Sequence, residues 1–425
     1  MLNKSRFLFL LLGILTTFTS VAQIRIASPY SRFGIGDLAD NNNAWNLSMG
    51  QTSFAIRSPF HINYGNPASY TAFDSLSFVF EGGFNADVVQ LTSNLQTATR
   101  NYASLGYVLF GMPVTKWWRT SFGLVPFSDV GYNVVNLENY EGVGGVARIY
   151  RGSGGINRFY WGNGFKLWKS FSIGFNFSYL FGNMERESVV IFPDSTYYAN
   201  VKVKNNITMN DIYFNWGLQY HGRLKNGLHL NAGAVFSLES KMSAEVDGVV
   251  QTFFIGGDGI EYPKDTLDIA EGYKGKIVIP MMAGGGIGLE KPDKWMVSLD
   301  YRWANWKKFT AFDLTDSLVN SHQISAGAEF IPDINSYTNY LKRMRYRIGF
   351  MFNNTYLKLR EKQLNEFAVT VGFGLPLRGV KTALNVSAQV GFRGTTEANL
   401  IRETYVRFVL GFTIYERWFI KRKYY

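Results

Sequence analysis

Three arginines at alternate positions form the clearest chemical pattern in the sequence. Arg343, Arg345 and Arg347 are separated by the single apolar residues Met344 and Tyr346. In a β-strand, residues two apart point to the same face, so the three guanidinium groups would stand in a row. A guanidinium group binds a carboxylate through two parallel hydrogen bonds. The row could therefore anchor the carboxylate headgroup of a ligand, or it could belong to a ladder of ion pairs within the protein.

Charged residues in two neighbouring predicted strands bear on this choice. They are Asp300, Arg302 and Glu329. Adjacent strands lie about 4.8 Å apart, so opposite charges on one face can meet across a sheet. Of the two interpretations we favour the ladder, which would fix an internal segment of the chain in place.

Residue patterns typical of enzymes and metal sites are missing from the sequence. It has four histidines and no cysteine, and it contains no His-x-x-x-His or Gly-x-Ser-x-Gly pattern. Without cysteine there is no disulfide and no thiolate ligand for zinc or an iron–sulfur cluster. The glycine-rich stretch 283–288 lacks the lysine of a phosphate-binding loop. We therefore expect no enzymatic activity, no cofactor and no metal centre.

The composition excludes a disordered chain and does not favour a nucleic-acid partner. The 425 residues are 46% hydrophobic and only 18% charged, which is too apolar for intrinsic disorder. The formal net charge is +11, but most lysines and arginines are spread over many turns rather than gathered on one stripe. The exception is Lys421, Arg422 and Lys423 in the tail 417–425, which could contact anionic lipid headgroups or a periplasmic partner. An equally open alternative is a solvated tail with a topological role.

Residues 1–22 have the order of a secretory signal peptide. Lys4 and Arg6 precede the apolar run 7–15, and small residues lead up to Ala22, after which we predict cleavage. The alternative, a membrane anchor, would need a run of about 20 apolar residues to span the bilayer as a helix. The chain is therefore expected to be exported.

Alternation of apolar and small or polar residues dominates the rest of the sequence. Phe171, Ile173 and Phe175, for example, alternate with Ser172 and Gly174. Such a period of two predicts strands with one apolar face, and about fourteen of them fit between residues 75 and 416. The connections alternate between tight turns and longer polar loops, of which 242–272 is the longest. Fourteen is an even number, and alternating short and long connections are typical of a closed antiparallel barrel in a bacterial outer membrane.

Tryptophans near the predicted strand ends support a membrane location. Aromatic rings prefer the level of the lipid headgroups, where outer-membrane barrels carry two girdles of them. The tryptophans concerned are Trp117, Trp118, Trp161, Trp168, Trp295, Trp303 and Trp306. The fold class we predict is therefore all-β, a transmembrane barrel of about fourteen strands in the outer membrane of a Gram-negative bacterium.

Residues 23–74 precede the first predicted strand and are unusual for a free tail. They are rich in Asn, Gly, Ser and Pro, yet they contain apolar groups such as Trp45, Met49 and Phe54. We expect this segment to fold into the lumen as a plug, with a periplasmic arm as the alternative.

Two short patterns resemble the FadL/TodX family of outer-membrane transporters for long-chain fatty acids and hydrocarbons. Gly50 and Ala55 are followed by Asn66-Pro67-Ala68, and the predicted strand 295–306 looks like a tryptophan-containing strand of that family. The ending 416–425 resembles a poorly characterised branch of the same family. The resemblance implies a fourteen-stranded barrel with an N-terminal plug, in which a ligand taken from outside leaves sideways into the membrane through a kinked strand.

Two functions follow as hypotheses. The first, implied by the resemblance, is passive uptake of long-chain fatty acids or other hydrophobic molecules, with outer-membrane lipid and a fatty-acid or hydrocarbon ligand as partners. The second is a non-transporting accessory subunit of a multiprotein machine for β-barrel assembly or protein secretion, with outer-membrane or periplasmic protein partners. A third, a general polar porin, is disfavoured by the expected plug. An apolar tunnel that ends at a gap in the wall would favour uptake, whereas a lumen closed by charge pairs would favour the accessory role.

Overall fold

The computed structural model describes residues 26–39, 43–194, 197–316, 318–377 and 382–417. The predicted signal peptide 1–22 and the basic residues Lys421, Arg422 and Lys423 lie outside the described residues. Within these residues, no helix is long and apolar enough to cross a membrane.

Nineteen strands form one continuous sheet in the described part of the chain. In chain order they are β1 (Asp37–Leu38), β2 (Ser77–Thr92), β3 (Thr97–Pro113), β4 (Trp118–Tyr140), β5 (Gly144–Lys166), β6 (Phe171–Ile191), β7 (Asn200–Arg223), β8 (His229–Ser237), β9 (Ser240–Ile255), β10 (Glu261–Ile279), β11 (Met282–Lys291), β12 (Trp295–Ala304), β13 (Thr310–Ala311), β14 (Leu314–Thr315), β15 (Ser321–Phe330), β16 (Arg345–Leu359), β17 (Lys362–Pro376), β18 (Ala383–Arg393) and β19 (Arg402–Arg417).

Fourteen of these strands close into an antiparallel barrel, as the sequence predicts. They are β2 to β8, β11, β12 and β15 to β19, and β19 pairs with β2 from Arg402↔Thr92 to Arg417↔Ser77 to close the ring. In the described part of the chain, every strand of this wall pairs with two neighbours, as a membrane requires because lipid cannot hydrogen-bond to a free edge.

The two faces of the wall differ as the alternation predicts. On β16, Ile348 is 58% exposed on the outer face, whereas its neighbours Arg347 and Gly349 are buried on the inner face. An apolar outer face suits lipid, and the inner face is left for polar, charged and small residues.

Several strands run much further than predicted. The stretch 242–272, predicted as a polar loop, is mostly a ladder between β9 and β10 that joins Ser240↔Ile279 to Ile255↔Glu261. The prediction was wrong because alternation arises only where one face meets lipid and the other the lumen. In the outer part of β10 both faces meet water, and residues 261–271 are all exposed.

The break between the barrel strands and this long hairpin has a local cause. β8 gives way to β9 at Leu238 and Glu239, and β10 gives way to β11 at Pro280 and Met281, directly across the ladder. Proline has no backbone N–H to donate to a ladder, so the pairing stops there.

A short helix, Tyr340–Arg343, precedes β16. It changes the position of Arg343, which we placed on a strand beside Arg345 and Arg347. The strand begins only at Arg345, so Arg343 does not share the inner face, and its guanidinium lies over the Tyr340 ring at 5.4 Å. The helix forms because the side chain of Asn339 accepts a hydrogen bond from the Leu341 backbone N–H, which caps its first turn.

Residues 26–39 and 43–74, called here the N-terminal segment, lie against the inner face of the barrel. Their apolar side chains pack on inward-facing ones: Ala44, Ile62 and Tyr64 share one buried cluster with Leu109 and Tyr160 of the wall. The core of this protein is thus the boundary between the segment and the wall, since the outer faces of the strands meet lipid.

Glycines of the wall let the segment approach the strands at backbone distance. A Cβ added to Gly349 would lie 2.0 Å from the Gly50 backbone nitrogen, and one added to Gly327 would lie 2.2 Å from the Met49 carbonyl oxygen. Gly50 itself has φ of +67°, a conformation that favours glycine.

This packing predicts that Gly349→Ala destabilises the protein while Gly285→Ala does not. The new methyl group at 349 would collide with backbone, which cannot move aside as a side chain can. At Gly285, in contrast, the nearest atom is 3.8 Å away. Thermal unfolding in detergent, followed by circular dichroism and by the heat-dependent shift in gel mobility, measures both. Equal melting temperatures for the two variants would contradict the packing described.

Candidate functional site

The inner face of the barrel holds the charged residues singled out from the sequence. Glu329 of β15 forms ion pairs with two of the predicted arginines, from Arg345 Nη1 to Oε1 at 2.9 Å and from Arg347 Nε to Oε2 at 2.7 Å. Trp45 of the N-terminal segment also donates to Glu329 Oε2 at 3.1 Å, and the Arg347 guanidinium lies 5.4 Å from the Trp45 ring. Arg347 donates further to Asn385 Oδ1 at 2.8 Å. Both guanidinium groups are thus engaged by the protein's own carboxylate.

Asp300 of β12 holds the backbone of the same segment. Its Oδ2 accepts hydrogen bonds from the Ser53 N–H at 2.6 Å and the Phe54 N–H at 2.8 Å. Such bonds to an ionised group are stronger than neutral ones. Arg302, two residues along the strand, donates to Gln323 Oε1 and borders the remaining cavity.

Glu81 of β2 is a third buried carboxylate, which the sequence interpretation missed. It is 2% exposed. Its Oε1 accepts from the Ile62 N–H at 2.9 Å and lies 3.1 Å from His61 Nδ1, while its Oε2 accepts from Asn43 Nδ2 at 3.0 Å. The available signal was its place on the small and polar face of the first barrel strand.

A fourth cluster, also missed, ties the start of the described chain to the wall. Arg393 of β18 pairs with Asp37 Oδ2 at 2.6 Å and with Glu403 Oε2 at 2.7 Å. Ser28 donates to Glu403 Oε1 at 2.7 Å. Asp37, which completes the cluster, belongs to the N-terminal segment. The spacing of residues within the barrel strands therefore does not predict its contact with Arg393.

The motif residues of the predicted resemblance have local structural roles. Asn66 Nδ2 donates to the carbonyl oxygens of Phe54 at 2.7 Å and Leu218 at 3.1 Å. Its Oδ1 accepts from the Ala68 N–H at 3.1 Å, and Pro67 starts the 3₁₀ turn that follows. Ala55 is fully buried, with its Cβ 3.5 Å from where a Cβ of Gly288 would lie.

Two titratable groups of the N-terminal segment keep their ordinary protonation state at pH 7. Burial lowers the pKa of Arg57 to about 10, and the carboxylate of Glu290 opposes that shift, so the guanidinium stays charged. Burial raises the pKa of Tyr30 to about 12, so its hydroxyl remains a donor, here to the Ile401 carbonyl oxygen.

A cavity of about 270 Å³ remains between the segment and the wall. Apolar groups such as Phe54, Phe127 and Trp306 line part of it. Uncharged polar side chains also line it, together with charged ones: Asp37, Asp87, Asp129, Arg158, Asp300, Arg302, Glu366, Arg393 and Arg407. This mixed lining differs from the continuous apolar tunnel that uptake of hydrophobic molecules would favour.

The wall has a seam between β3 and β4. These strands pair only from Val108↔Leu124 to Pro113↔Arg119. Past that point, in the described part of the chain, β3 pairs with β2 alone, whereas β4 takes β1 of the N-terminal segment on the edge that β3 leaves. Residues 102–106 and 126–129 on the two sides of the seam border the cavity.

The hairpin of β9 and β10 extends the wall at the end of the barrel opposite the tight turns, where β9 also pairs with β7 from Met209↔Ala244 to Asn200↔Phe253. Among the described residues, β10 pairs with β9 along one edge and with β13 only at Ile277 and Val278 along the other. Its outer part, residues 244–273, is acidic, with Lys264 as its one basic residue against Glu245, Asp247, Asp258, Glu261, Asp265, Asp268 and Glu271. It also exposes large apolar side chains, each more than half exposed: Ile260, Tyr262, Leu267, Ile269 and Tyr273.

Comparisons with known proteins agree with this fold. The family model BamG matches residues 1–425. The chain is similar to the CymD monoaromatic hydrocarbon channel, with a TM-score of 0.56 and 12% identity over 90% of this chain and 98% of that one. It is also similar to the Ralstonia pickettii toluene transporter TbuX, with a TM-score of 0.57 and 11% identity over 88% of this chain and 98% of that one.

A Pseudomonas aeruginosa FadL homologue is a third similar structure, with a TM-score of 0.58 and 10% identity over 90% of this chain and 99% of that one. The comparison with curated proteins finds no significant match. The predicted resemblance to FadL/TodX-type proteins is confirmed. The sequence identities of 10% to 12% establish a shared fold and nothing more. The chain is an outer-membrane β-barrel, as predicted.

The ion pairs of Glu329 predict that Glu329→Gln destabilises the protein and loosens the N-terminal segment. The change leaves Arg345 and Arg347 without their counter-charge, and breaking a buried pair in this way costs about 3–5 kcal/mol. Limited proteolysis of the folded barrel, read as cleavage within residues 26–74, measures the effect together with the unfolding temperature.

Glu361→Gln is the matched control for this variant. Glu361 pairs with Lys358 at 2.6 Å in an exposed turn, and its side chain is 92% exposed, so no measurable change is expected. Equal resistance of the two variants to protease and heat would show that the Glu329 cluster does not hold the segment.

Proposed function

Because the chain belongs to the BamG family, we propose that it is a non-transporting accessory subunit of the machine that assembles β-barrels in the outer membrane. The first three letters of the family name, Bam, abbreviate β-barrel assembly machinery. This supports a role in barrel assembly over one in protein secretion. The observation that carries the proposal is the hairpin of β9 and β10, set on a barrel whose lumen is occupied by its own N-terminal segment.

The occupied lumen supports a role other than passage of a ligand. Withdrawing the segment would leave Glu81 without the Ile62 N–H and Asp300 without the N–H groups of Ser53 and Phe54. Glu329 would lose the Trp45 N–H and keep Arg345 and Arg347, which belong to the wall. Removing the partner of a buried polar group costs about 1–3 kcal/mol, and more for a charged one. On this proposal the segment acts as a permanent plug, and Arg345 and Arg347 are positioning residues for it rather than anchors for a fatty-acid headgroup.

The hairpin has the features of a docking surface for an extended segment. An unpaired strand edge offers free N–H and C=O groups, and proteins seldom leave a long edge uncovered. A partner strand added to residues 261–272 of β10 would satisfy those groups, as in strand addition. The acidic character of residues 244–273 favours a segment rich in Lys and Arg, because opposite charges guide and orient association. On this proposal the partner is a protein component on the outer side of the membrane.

The proposal predicts that shortening the hairpin releases the partners. Val246 pairs with Tyr273, so residues 247–272 can be replaced by Asn-Gly, a two-residue turn suited to a hairpin. The affinity-tagged chain is extracted from its native membrane in mild detergent, and co-purifying proteins and lipids are identified by mass spectrometry. We expect other barrel and lipoprotein components with the unaltered chain and their loss with the shortened one.

A second shortened hairpin serves as the control. Asn136 pairs with Arg148 near the tip of the hairpin of β4 and β5, and replacing residues 137–147 with Asn-Gly should leave the partners in place. Depletion of the chain should also lower the amounts of other outer-membrane barrels. A chain that purifies without protein partners, and whose depletion leaves other barrels unchanged, would contradict the proposal.

Passive uptake of a hydrophobic molecule is the second candidate function, and the seam between β3 and β4 favours it. The cavity reaches residues on both sides of this seam, so a small molecule could leave sideways into the lipid there. In the same experiment, stoichiometric fatty acid or hydrocarbon bound to a chain without protein partners would support uptake.

A further inference from the structure

Two histidines and a glutamate meet on the inner face, at the end of the barrel with the tight turns. They are His221 of β7, His229 of β8 and Glu290 of β11, and one potential ligand atom from each lies within 4.8 Å of the others. The tight turn after Arg223 brings β7 back as β8, and the ladder places His229 directly opposite Glu290. All three side chains are half-buried, so the cluster is open to the periplasmic mouth.

We propose that these three side chains form a binding site for a divalent transition metal, Zn²⁺ in the first place. Imidazole nitrogens and a carboxylate oxygen are ligands that Zn²⁺ accepts, and two histidines with one glutamate are a known ligand set that leaves a fourth position for water. Mg²⁺ and Ca²⁺ prefer sites made of oxygen ligands, so the two imidazoles select against them.

The spacing of the groups fits ligands better than it fits a direct contact. His229 Nδ1 lies 3.6 Å from Glu290 Oε1, which is long for a hydrogen bond. Two ligands at about 2.1 Å from a tetrahedral zinc ion lie about 3.4 Å apart. The His221 and His229 rings stand at 89° to each other with centroids 4.9 Å apart, so they are not stacked face to face.

Asn231 supplies the supporting contact that histidine ligands usually have. Its Oδ1 lies 2.5 Å from His221 Nδ1. With the proton on Nδ1 in this bond, Nε2 of His221 carries the lone pair for the metal. A ligating histidine commonly donates its other N–H to an oxygen in this way, which fixes both the ring and the tautomer.

Arg57 is the charged group that faces the cluster from the N-terminal segment. Its Nη1 donates to Gln219 Oε1 at 3.1 Å, two residues from His221 along β7. The positive charge of Arg57 opposes a cation, and the charge of Glu290 offsets it. The bound metal would tie β7, β8 and β11 together beside the tight turns. This site is independent of the proposed accessory function, since it lies at the opposite end of the barrel from the hairpin.

Titration of the full chain with ZnCl₂ tests the site. The protein is purified in detergent through a tag without histidines, freed of metal with a chelator, and titrated by calorimetry. We expect one Zn²⁺ per chain, a rise in unfolding temperature on binding, and a d–d absorption band of tetrahedral type when Co²⁺ replaces Zn²⁺.

Variants at the cluster separate a built site from incidental binding. His221→Ala and Glu290→Gln should each abolish saturable binding, and Asn231→Ala should weaken it by about 10–100-fold. His322→Ala is the matched control, because His322 hydrogen-bonds Tyr301 outside the cluster, and it should bind as the unaltered chain does. The heat-dependent gel shift confirms that each variant is folded. Absence of saturable binding in the folded unaltered chain, or equal binding by folded His221→Ala, would overturn the proposal.

Discussion

Burial of carboxylates inside the barrel is the constraint on which the rest of this structure depends. Glu81, Asp300 and Glu329 come from strands spread around the wall, and none of them faces bulk water. A buried charge is tolerated only where donors and counter-charges surround it. The N-terminal segment supplies the backbone N–H groups of Ser53, Phe54 and Ile62, together with the side chains of Asn43 and Trp45. The wall and the segment therefore each leave unsatisfied groups without the other.

The small residues of the wall follow from the same constraint. Hydrogen bonds from the backbone of the segment to carboxylates on strands require the two to approach closely, and glycines such as Gly327 and Gly349 provide the space. The segment then lies against the inner face of the wall, and the cavity between the two is bordered by charged side chains as well as by apolar groups. The seam between β3 and β4 belongs to this arrangement, because β1 takes the edge of β4 that a full barrel strand would otherwise cover.

Outside the membrane, strand residues no longer need an apolar face toward lipid. Residues 261–271 of β10 need neither an apolar face for lipid nor a lumenal one, so this stretch carries charge and exposed apolar side chains together. Among the described residues, β10 has an edge that is largely unpaired. The surface of residues 244–273 is acidic, whereas the whole chain has a net charge of +11. Together with the occupied lumen, these features suit a barrel that presents a surface to other proteins, which is the basis of the proposed accessory role in barrel assembly.

How far the sequence predicts this protein differs between the wall and the site. Alternation along each strand was enough for the number of barrel strands and for the inward position of Asp300, Glu329 and Arg347, because lipid on one side demands an apolar residue at every second position. It failed for the outer part of β10, where both faces meet water and no alternation is required. It also failed for Arg343, since the helix that removes this residue from the strand depends on a single capping asparagine.

Only the tertiary structure decided which residues far apart in the chain contact each other. Glu81 bonds to Ile62, Arg393 joins Asp37 to Glu403, and His229 comes to lie beside Glu290. The sequence by itself determined which strands exist and which way their residues face, because those properties depend on neighbours two positions away. The partners on the inner face depend instead on barrel closure and on the path of the N-terminal segment through it, and both are set by the packing of the whole chain.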